Sequence, residues 1–333
     1  PIGVAGAKNQ LGSLLGMYSD GSYEPSHALL AGATGSGKSF SLHAIILSLA
    51  LRYSPQELEF YLLDYKEGVE FQIYVTADEE GISEELDLSK TLPHAKVIAI
   101  ESDPEFGLSV LKKTIAQIYD RSQLFKTAGV SGIEAYREKT GESLPRLLIA
   151  IDEYQQMYLE ADGRLCDRLN DAFETIAKEG RAFGVHLLLC SQSPRITDFR
   201  ESIYRQMAVR MAMNMDRDTA SLIMADNNTS VIDYLDRAGR LAYNDRLGKK
   251  DYNLIGQVAF VSLEARRAAM ETILKKSKST DFHQSTPTFV FNGISNAKLH
   301  HNQEFIKISQ SEYCLAPKEL NQEFFKEKGW ISL

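Results

Sequence analysis

The sequence predicts an α/β fold, a mostly parallel sheet with helices on both faces. Three observations carry that expectation. Hydrophobic runs of strand length alternate with segments of helical period along the chain. Two runs, RLLIAID (146–152) and VHLLLC (185–190), are apolar without a break, as strands covered on both faces of a parallel sheet must be. A third, HALLAG (27–32), passes directly into a glycine-rich turn and then a helical pattern. With 333 residues, 44% hydrophobic and 25% charged, the chain can bury a full core as one large domain or two modest ones.

Residues 1–25 read as a lead-in segment. HALLAG is a buried strand and a helix follows over about 38–52. SPQE (54–57) has the capping-box pattern and precedes the strand LEFYLLD (58–64). TADEEGISEELDLSK (76–90), with six acids and one lysine, reads as a solvated loop, with a regulatory role as the alternative. AKVIAIE (95–101) is the next strand. Asp103 and Pro104 supply an N-cap and a first-turn proline for a long helix ending near Gly129. Ser131 and Glu134 predict a second capping box, on a short helix that Gly141 ends. After RLLIAID, Leu165, Leu169, Ala172 and Ile176 recur at helical spacing and lead into VHLLLC. MAVRMAM (207–213), GRLAYN (239–244) and QVAFVSL (257–263) are the later candidate strands. One compact domain over 26–275 is expected. KKSKSTDFHQSTP (275–287) reads as a linker, and 276–333 as linker and C-terminal extension that wraps the domain or begins a further module.

The net charge of −8 argues against a domain whose whole surface clamps nucleic acid, and leaves room for a few basic residues in one channel. Cys166, Cys190 and Cys314 stand singly, which points to a reducing, cytoplasmic compartment and against a cysteine metal site. Apolar stretches such as AIILSLAL (44–51) are too short to cross a bilayer, and no signal-peptide pattern is present. The chain begins at Pro1, which reads as a processed product or a piece of something longer.

GATGSGKS fits G-x-x-x-x-G-K-[ST] between an apolar strand and a helix. Gly32, Ala33, Thr34, Gly35, Ser36 and Gly37 form a loop whose glycines let successive N–H groups face phosphate oxygens, at the positive end of the helix. Lys38 is placed to reach the β and γ phosphates of ATP, and Ser39 to ligate Mg²⁺. The strand LLIAID delivers Asp152 as the second Mg²⁺ ligand, direct or through water. Glu153 follows, either as the base that polarises the attacking water or as an acid serving a helix N-terminus. Gln192, just past VHLLLC, is a γ-phosphate sensor if that strand lies between the two nucleotide strands, or simply bonds the loop backbone. Arg181, at the strand's other end, is either an arginine finger for a neighbouring subunit in a head-to-tail ring or a cation in a last helical turn.

Taken together, HALLAGATGSGKS (27–39), LLDYKEGVEF (62–71), LPHAKVIAIESD (92–103), LPRLLIAIDEY (144–154), GRAFGVHLLLCSQSP (180–194) and AGRLAYND (238–245) resemble the FtsK/SpoIIIE family of ATP-driven motors. The similarity spans about 26–262, in order. It implies a RecA-like P-loop ATPase fold, usually hexameric homo-oligomeric rings, and ATP hydrolysis coupled to threading a polymer through a pore. Within that pattern Arg181 and Gln192 match active-site positions, and Asp64 and Lys66 match an Asp-x-Lys near the nucleotide. Tyr65 stands where proline is common, and Ser193 where an arginine usually follows the glutamine. The resemblance covers two kinds of motor. One translocates double-stranded DNA, with Arg195, Arg200 and Arg205 as candidate phosphate contacts. The other is a protein-export motor of the type VII secretion class.

Overall fold

The computed structural model describes residues 3–4, 26–66, 70–75, 90–194, 198–279 and 288–293. The chain divides into units 1–293 and 294–333, and the second lies wholly outside the described residues. The expectations for most of 1–25, for the acidic run up to residue 89, for 280–287 and for Arg195 also lie outside them.

Among the described residues ten strands form one sheet: β1 (Gly3–Val4), β2 (Ala28–Ala31), β3 (Leu58–Asp64), β4 (Ala95–Ile100), β5 (Arg146–Asp152), β6 (Val185–Ser191), β7 (Val209–Ala212), β8 (Arg240–Asn244), β9 (Leu254–Val258) and β10 (Phe289–Asn292). Their order is β1-β9-β8-β7-β2-β6-β5-β3-β4-β10. From β7 to β10 every pairing is parallel, and β8, β9 and β1 continue the sheet antiparallel. The mostly parallel sheet is therefore as the sequence predicts, and β6 does lie between β2 and β5.

The unbroken apolar runs have a direct cause. Alternate side chains of β5 point to opposite faces, and both faces are covered. Leu147, Ile149 and Ile151 join one core with helices α2 (Pro104–Ala128) and α5 (Gly163–Glu179). Leu148 and Ala150 join the other, with α1 (Lys38–Arg52) and α8 (Leu263–Ser279). A strand buried on both sides has no position left for a polar residue until its end.

Local signals explain most helix boundaries. Asp103 caps α2 by accepting from the Phe106 N–H, Pro104 opens the helix, and Gly129 closes it in the left-handed region at φ 64°. The apolar spacing of 165–176 forms the buried stripe of α5, whose N-cap is Asp162. Gly141 ends α3 (Ile133–Thr140) at φ 73°. The capping box predicted there does not form. Gly132 is the N-cap and has no side-chain bond, while the Glu134 carboxylate is drawn to the Arg146 guanidinium. At 54–57 the Ser54 N–H and hydroxyl do bond Glu57, at 2.9 and 2.8 Å, but they close a turn with no helix after it. The apolar run 257–263 is also out of register with the sheet. The strand is Leu254–Val258, and Phe260, within the predicted run, is 75% exposed with its ring tilted at 41° against Phe40, centroids 4.8 Å apart.

At the C-terminal side, α8 continues to Ser279 because Met270 and Ile273 anchor it in the core, so the polar run from Lys275 begins as its last turn. FVFN adds β10 in parallel beside β4, with Phe291 stacked on Phe106 at 4.1 Å.

Candidate nucleotide-binding site

β2 ends against a loop that only small residues can build. A Cβ on Gly32 would lie 2.5 Å from Ser36 Oγ and 2.8 Å from Met213 Cβ. Gly37, the N-cap of α1, sits at φ 99°, in the left-handed region that disfavours side-chain-bearing residues. The first-turn N–H groups of α1 have no partner within the helix, and Gly37 brings no capping side chain, so this end is an anion-binding mouth. A cavity of about 290 Å³ opens onto it. It is lined by Ala33, Thr34, Gly35, Lys38 and Ser39 of the loop and α1, by Gln192, and by Ala238, Gly239, Ala259 and Phe260.

The parallel order β2-β6-β5-β3 brings four strand ends together at this mouth. Lys38 is buried there, with its ammonium on the carboxylate of Asp152 and 2.9 Å from Glu153 Oε1. Burial works against the charge, but the two carboxylates outweigh it and hold the ammonium protonated. Burial pushes the Asp152 carboxyl up, while Lys38 pulls it back. Glu153 is the first residue past β5 and has φ 51°, a left-handed conformation costing about 1–2 kcal/mol for a non-glycine residue. That turn aims its carboxylate back into the site. Oε2 accepts the Gln192 N–H at 3.0 Å and the Gln155 side-chain amide. Burial opposes ionisation, yet Lys38 and these donors hold Glu153 below the usual carboxylate range.

Gln192 follows β6 and is clamped by its own amide oxygen. Oε1 accepts from Thr34 Oγ1 at 2.8 Å and from Lys66 Nζ at 3.3 Å. A side chain predicted as a sensor therefore bridges the phosphate loop and the end of β3. Asp64, in register with Asp152, is fully buried. Its oxygens accept the N–H groups of Lys66 at 2.9 Å and Glu70 at 3.2 Å. Burial, reinforced by the neighbouring Asp152 and Glu70 charges, pushes its carboxyl up to about 7 against those two donors.

Arg181 lies at the opposite end of β6, exposed on the turn Gly180–Phe183, in a hollow with Glu134, Arg146 and Lys178. It is away from the chain's own cavity. Arg200 is held by Asp171 at 2.6 Å, Glu174 at 3.3 Å and Asp167 at 3.4 Å, and Arg205 by Glu201 at 2.8 Å.

Two groups escaped the sequence reading. Phe40, Phe260 and Arg266, the last 5.1 Å over the Phe40 ring, build an aromatic wall from α1, the end of β9 and α8. Glu70 reaches the site from beyond β3, bonded to His43 Nε2 at 3.0 Å. Burial would raise its carboxyl, but the His43 hydrogen bond and the polar and charged groups around it hold it at about 2. KEGVEF was visible as a motif; nothing in its spacing told that its second glutamate turns back to α1.

For a metal, Ser39 and Asp152 offer hard oxygen donors at the mouth. Among the described residues no three His, Cys, Asp or Glu side chains converge as a metal cage. That donor set fits Mg²⁺, which takes one or two carboxylates and fills the remaining positions with water and phosphate oxygens. Among the described residues no helix is long and apolar enough to cross a membrane.

The family model for the FtsK/SpoIIIE family matches residues 12–196. The protein named DNA translocase FtsK in Halalkalibacterium halodurans is 28% identical over 272 residues, covering 79% of this chain and 31% of its own length. The protein of the same name in Oceanobacillus iheyensis is 28% identical over 211 residues, 60% of this chain and 24% of its own. The chain thus spans about a third or less of these relatives. Among solved structures, the pCW3 conjugation coupling protein TcpA with ATPγS superposes with a TM-score of 0.59 at 24% identity, over 76% of this chain and 65% of that one. The cytoplasmic domain of the Thermomonospora curvata type VII secretion ATPase EccC gives 0.63 at 21% identity, over 82% and 30%. At such identities the two structures establish the shared fold.

Proposed function

The chain belongs to the FtsK/SpoIIIE family, and from that membership we propose that it is an ATP-hydrolysing motor that moves double-stranded DNA through the pore of a homo-oligomeric ring. The observation that carries the catalytic part is the meeting of Lys38, Asp152, Glu153 and Gln192 at one phosphate-sized mouth. In this reading the backbone of Gly32–Ser39 and the Lys38 ammonium hold the phosphates. Ser39 and Asp152 hold Mg²⁺, which supplies charge neutralisation on the phosphate oxygens when bound. Glu153, kept ionised and turned inward, takes the proton of the attacking water. Gln192 donates from its NH₂ group to a phosphate oxygen while its amide oxygen stays on Thr34 and Lys66, which ties phosphate occupancy to the loop and to the end of β3. Arg181 acts on the neighbour's nucleotide, consistent with its exposure at the far end of β6. We place the protein in the cytoplasm.

DNA as the polymer is supported by the translocase relatives. A motor grips phosphates without reading bases, and a ring multiplies each basic contact. Arg205, paired among the described residues with the exposed Glu201, gives up its ion pair at less cost than Arg200, which three acids surround; with Arg195 it is the preferred contact. A protein-export motor is the second reading, favoured by the likeness to EccC and by the acidic balance of the chain. ATPase activity with and without linear duplex DNA, at low and moderate salt, separates the two. The DNA reading expects stimulation that falls as salt rises. No stimulation and no salt-dependent duplex binding by the intact full-length protein would sink it.

A further inference from the structure

A chain of buried hydroxyls joins the end of β5 to the segment that carries Arg205. Tyr154 immediately follows Glu153, and Tyr204 immediately precedes Arg205. The two tyrosine hydroxyls lie 2.8 Å apart, and the Tyr204 hydroxyl is 2.7 Å from the Pro194 carbonyl oxygen. Tyr154, Pro194 and Tyr204 are all buried.

The directions of these bonds follow from the groups themselves. A carbonyl oxygen only accepts, so the single Tyr204 hydroxyl hydrogen goes to Pro194. Tyr154 must then donate to the Tyr204 oxygen. The chain Tyr154 to Tyr204 to Pro194 thus runs one way, from the end of β5 to the segment after β6. Phe199 packs against the same rings, 5.2 Å from Tyr154, 4.8 Å from Tyr204 and 5.4 Å from Tyr158. The backbone on either side of Phe199 is held separately by the buried Asn170 amide of α5. That amide donates to the Asp198 carbonyl at 2.6 Å and accepts the Arg200 N–H at 3.1 Å.

The two attachments differ in what they connect. Asn170 ties the segment to the helix layer. The hydroxyl chain ties it to the neighbour of Glu153, at a place where the ends of β5 and β6 are laced together: Glu153 Oε2 accepts the Gln192 N–H at 3.0 Å, and the Tyr154 N–H donates to the Cys190 carbonyl at 3.2 Å. A buried hydroxyl that loses its partner is costly, so a shift of either strand end pulls on Tyr204 and Pro194 instead of breaking the chain. We propose that Tyr154 and Tyr204 are positioning residues that couple the nucleotide site to the segment gripping the polymer, so that the placement of Arg205 follows the state of Glu153 and Gln192. This rests on the DNA-motor reading of the chain. Neither tyrosine touches nucleotide or DNA; both act through the residues beside them, by packed side chains and hydrogen bonds of the kind that carry coupling between sites.

The test separates basal turnover, duplex binding and stimulation. The full chain is assayed for ATPase with and without linear duplex DNA, and duplex binding is followed by fluorescence anisotropy in the presence of ATPγS. Tyr154→Phe keeps the ring and the Tyr204–Pro194 bond but cuts the link to the strand end. It is expected to keep wild-type basal turnover and duplex affinity, and to lower the stimulation by DNA about 2- to 30-fold, the range over which such networks change coupling. Tyr204→Phe also releases Pro194, and should lower stimulation at least as far while weakening duplex binding. If that variant melts too early to assay, Tyr154→Phe combined with Tyr204→Phe replaces it, since it strands no tyrosine hydroxyl. Wild-type stimulation in Tyr154→Phe and in the double variant would overturn the inference. So would basal and stimulated turnover that fall by the same factor, which makes the hydroxyls a support of the strand end alone. A wild-type chain that hydrolyses ATP but neither binds duplex nor is stimulated by it would overturn the DNA reading and this inference with it.

Discussion

Replacing Glu153 by glutamine tests the hydrolytic assignment most directly. The native carboxylate faces three donors: the Lys38 ammonium at 2.9 Å, the Gln192 N–H at 3.0 Å and the Gln155 amide. Glutamine fills nearly the same space and keeps one oxygen, which in the Oε2 position still accepts from Gln192 and Gln155 and leaves Lys38 unmatched. Its NH₂ group must then face the Lys38 ammonium. The ion pair itself is reduced rather than abolished, because Lys38 retains Asp152. Folding should therefore lose about 1.5–3 kcal/mol, the worth of a hydrogen bond to a charged group. Turnover should lose far more, since a positioned general base contributes about 10²- to 10⁴-fold. At 1.36 kcal/mol per decade that is roughly 2.7–5.4 kcal/mol of barrier. The assay is steady-state ATPase at saturating Mg-ATP, with duplex DNA, beside a nucleotide titration and a thermal melt. The expected variant binds nucleotide, melts somewhat earlier and turns over at about a hundredth of the wild-type rate or less. A folded variant that binds ATP and retains more than about a tenth of the rate would refute the base assignment and leave Glu153 as an acid serving the helical turn after β5.

Two further outcomes follow from the same geometry. Asp64 has its carboxyl raised from 3.8 to about 7 by burial and by neighbouring acids, so the folded chain holds a proton that the unfolded chain has released between those values. Stability in EDTA should fall as pH rises through that window, by at most about 4 kcal/mol, and level off above it. Asp64→Asn should flatten that part of the stability–pH curve in urea titrations; an unchanged slope would show that Asp64 titrates normally. Arg181→Ala should abolish turnover alone, and mixing it with Lys38→Ala protein should restore part of the activity at composite sites. Unchanged turnover in Arg181→Ala would remove the finger assignment.

Much of the site was legible because its signals are local. Gly32, Gly37 and Lys38 are dictated by the backbone of one tight loop, and a short pattern records them. Asp152 stands where a run of alternating inward side chains ends, so the end of RLLIAID marks it without any knowledge of its neighbours. Where local signals misled, a tertiary contact had outbid them. Glu134 fits a capping box but finds the Arg146 guanidinium closer to hand. Phe260 looks like strand core, yet its ring has left the sheet for Phe40. Hydrophobicity counts the ring and cannot see which surface it lies on.

What the amino-acid sequence determined by itself was the set of parts: which runs become two-faced strands, where the phosphate loop bends, and which acids sit at strand ends. The tertiary structure decided which parts meet. Lys38 and Glu153 are far apart in the chain, and only the order β2-β6-β5 brings them to 2.9 Å. Glu70 and His43 meet at 3.0 Å because the chain beyond β3 returns to α1, a path no periodicity encodes. Strand and loop patterns come from steric limits within a few residues. The charge balance of the site depends on distances across the sheet, and those exist only once every strand has found its neighbour.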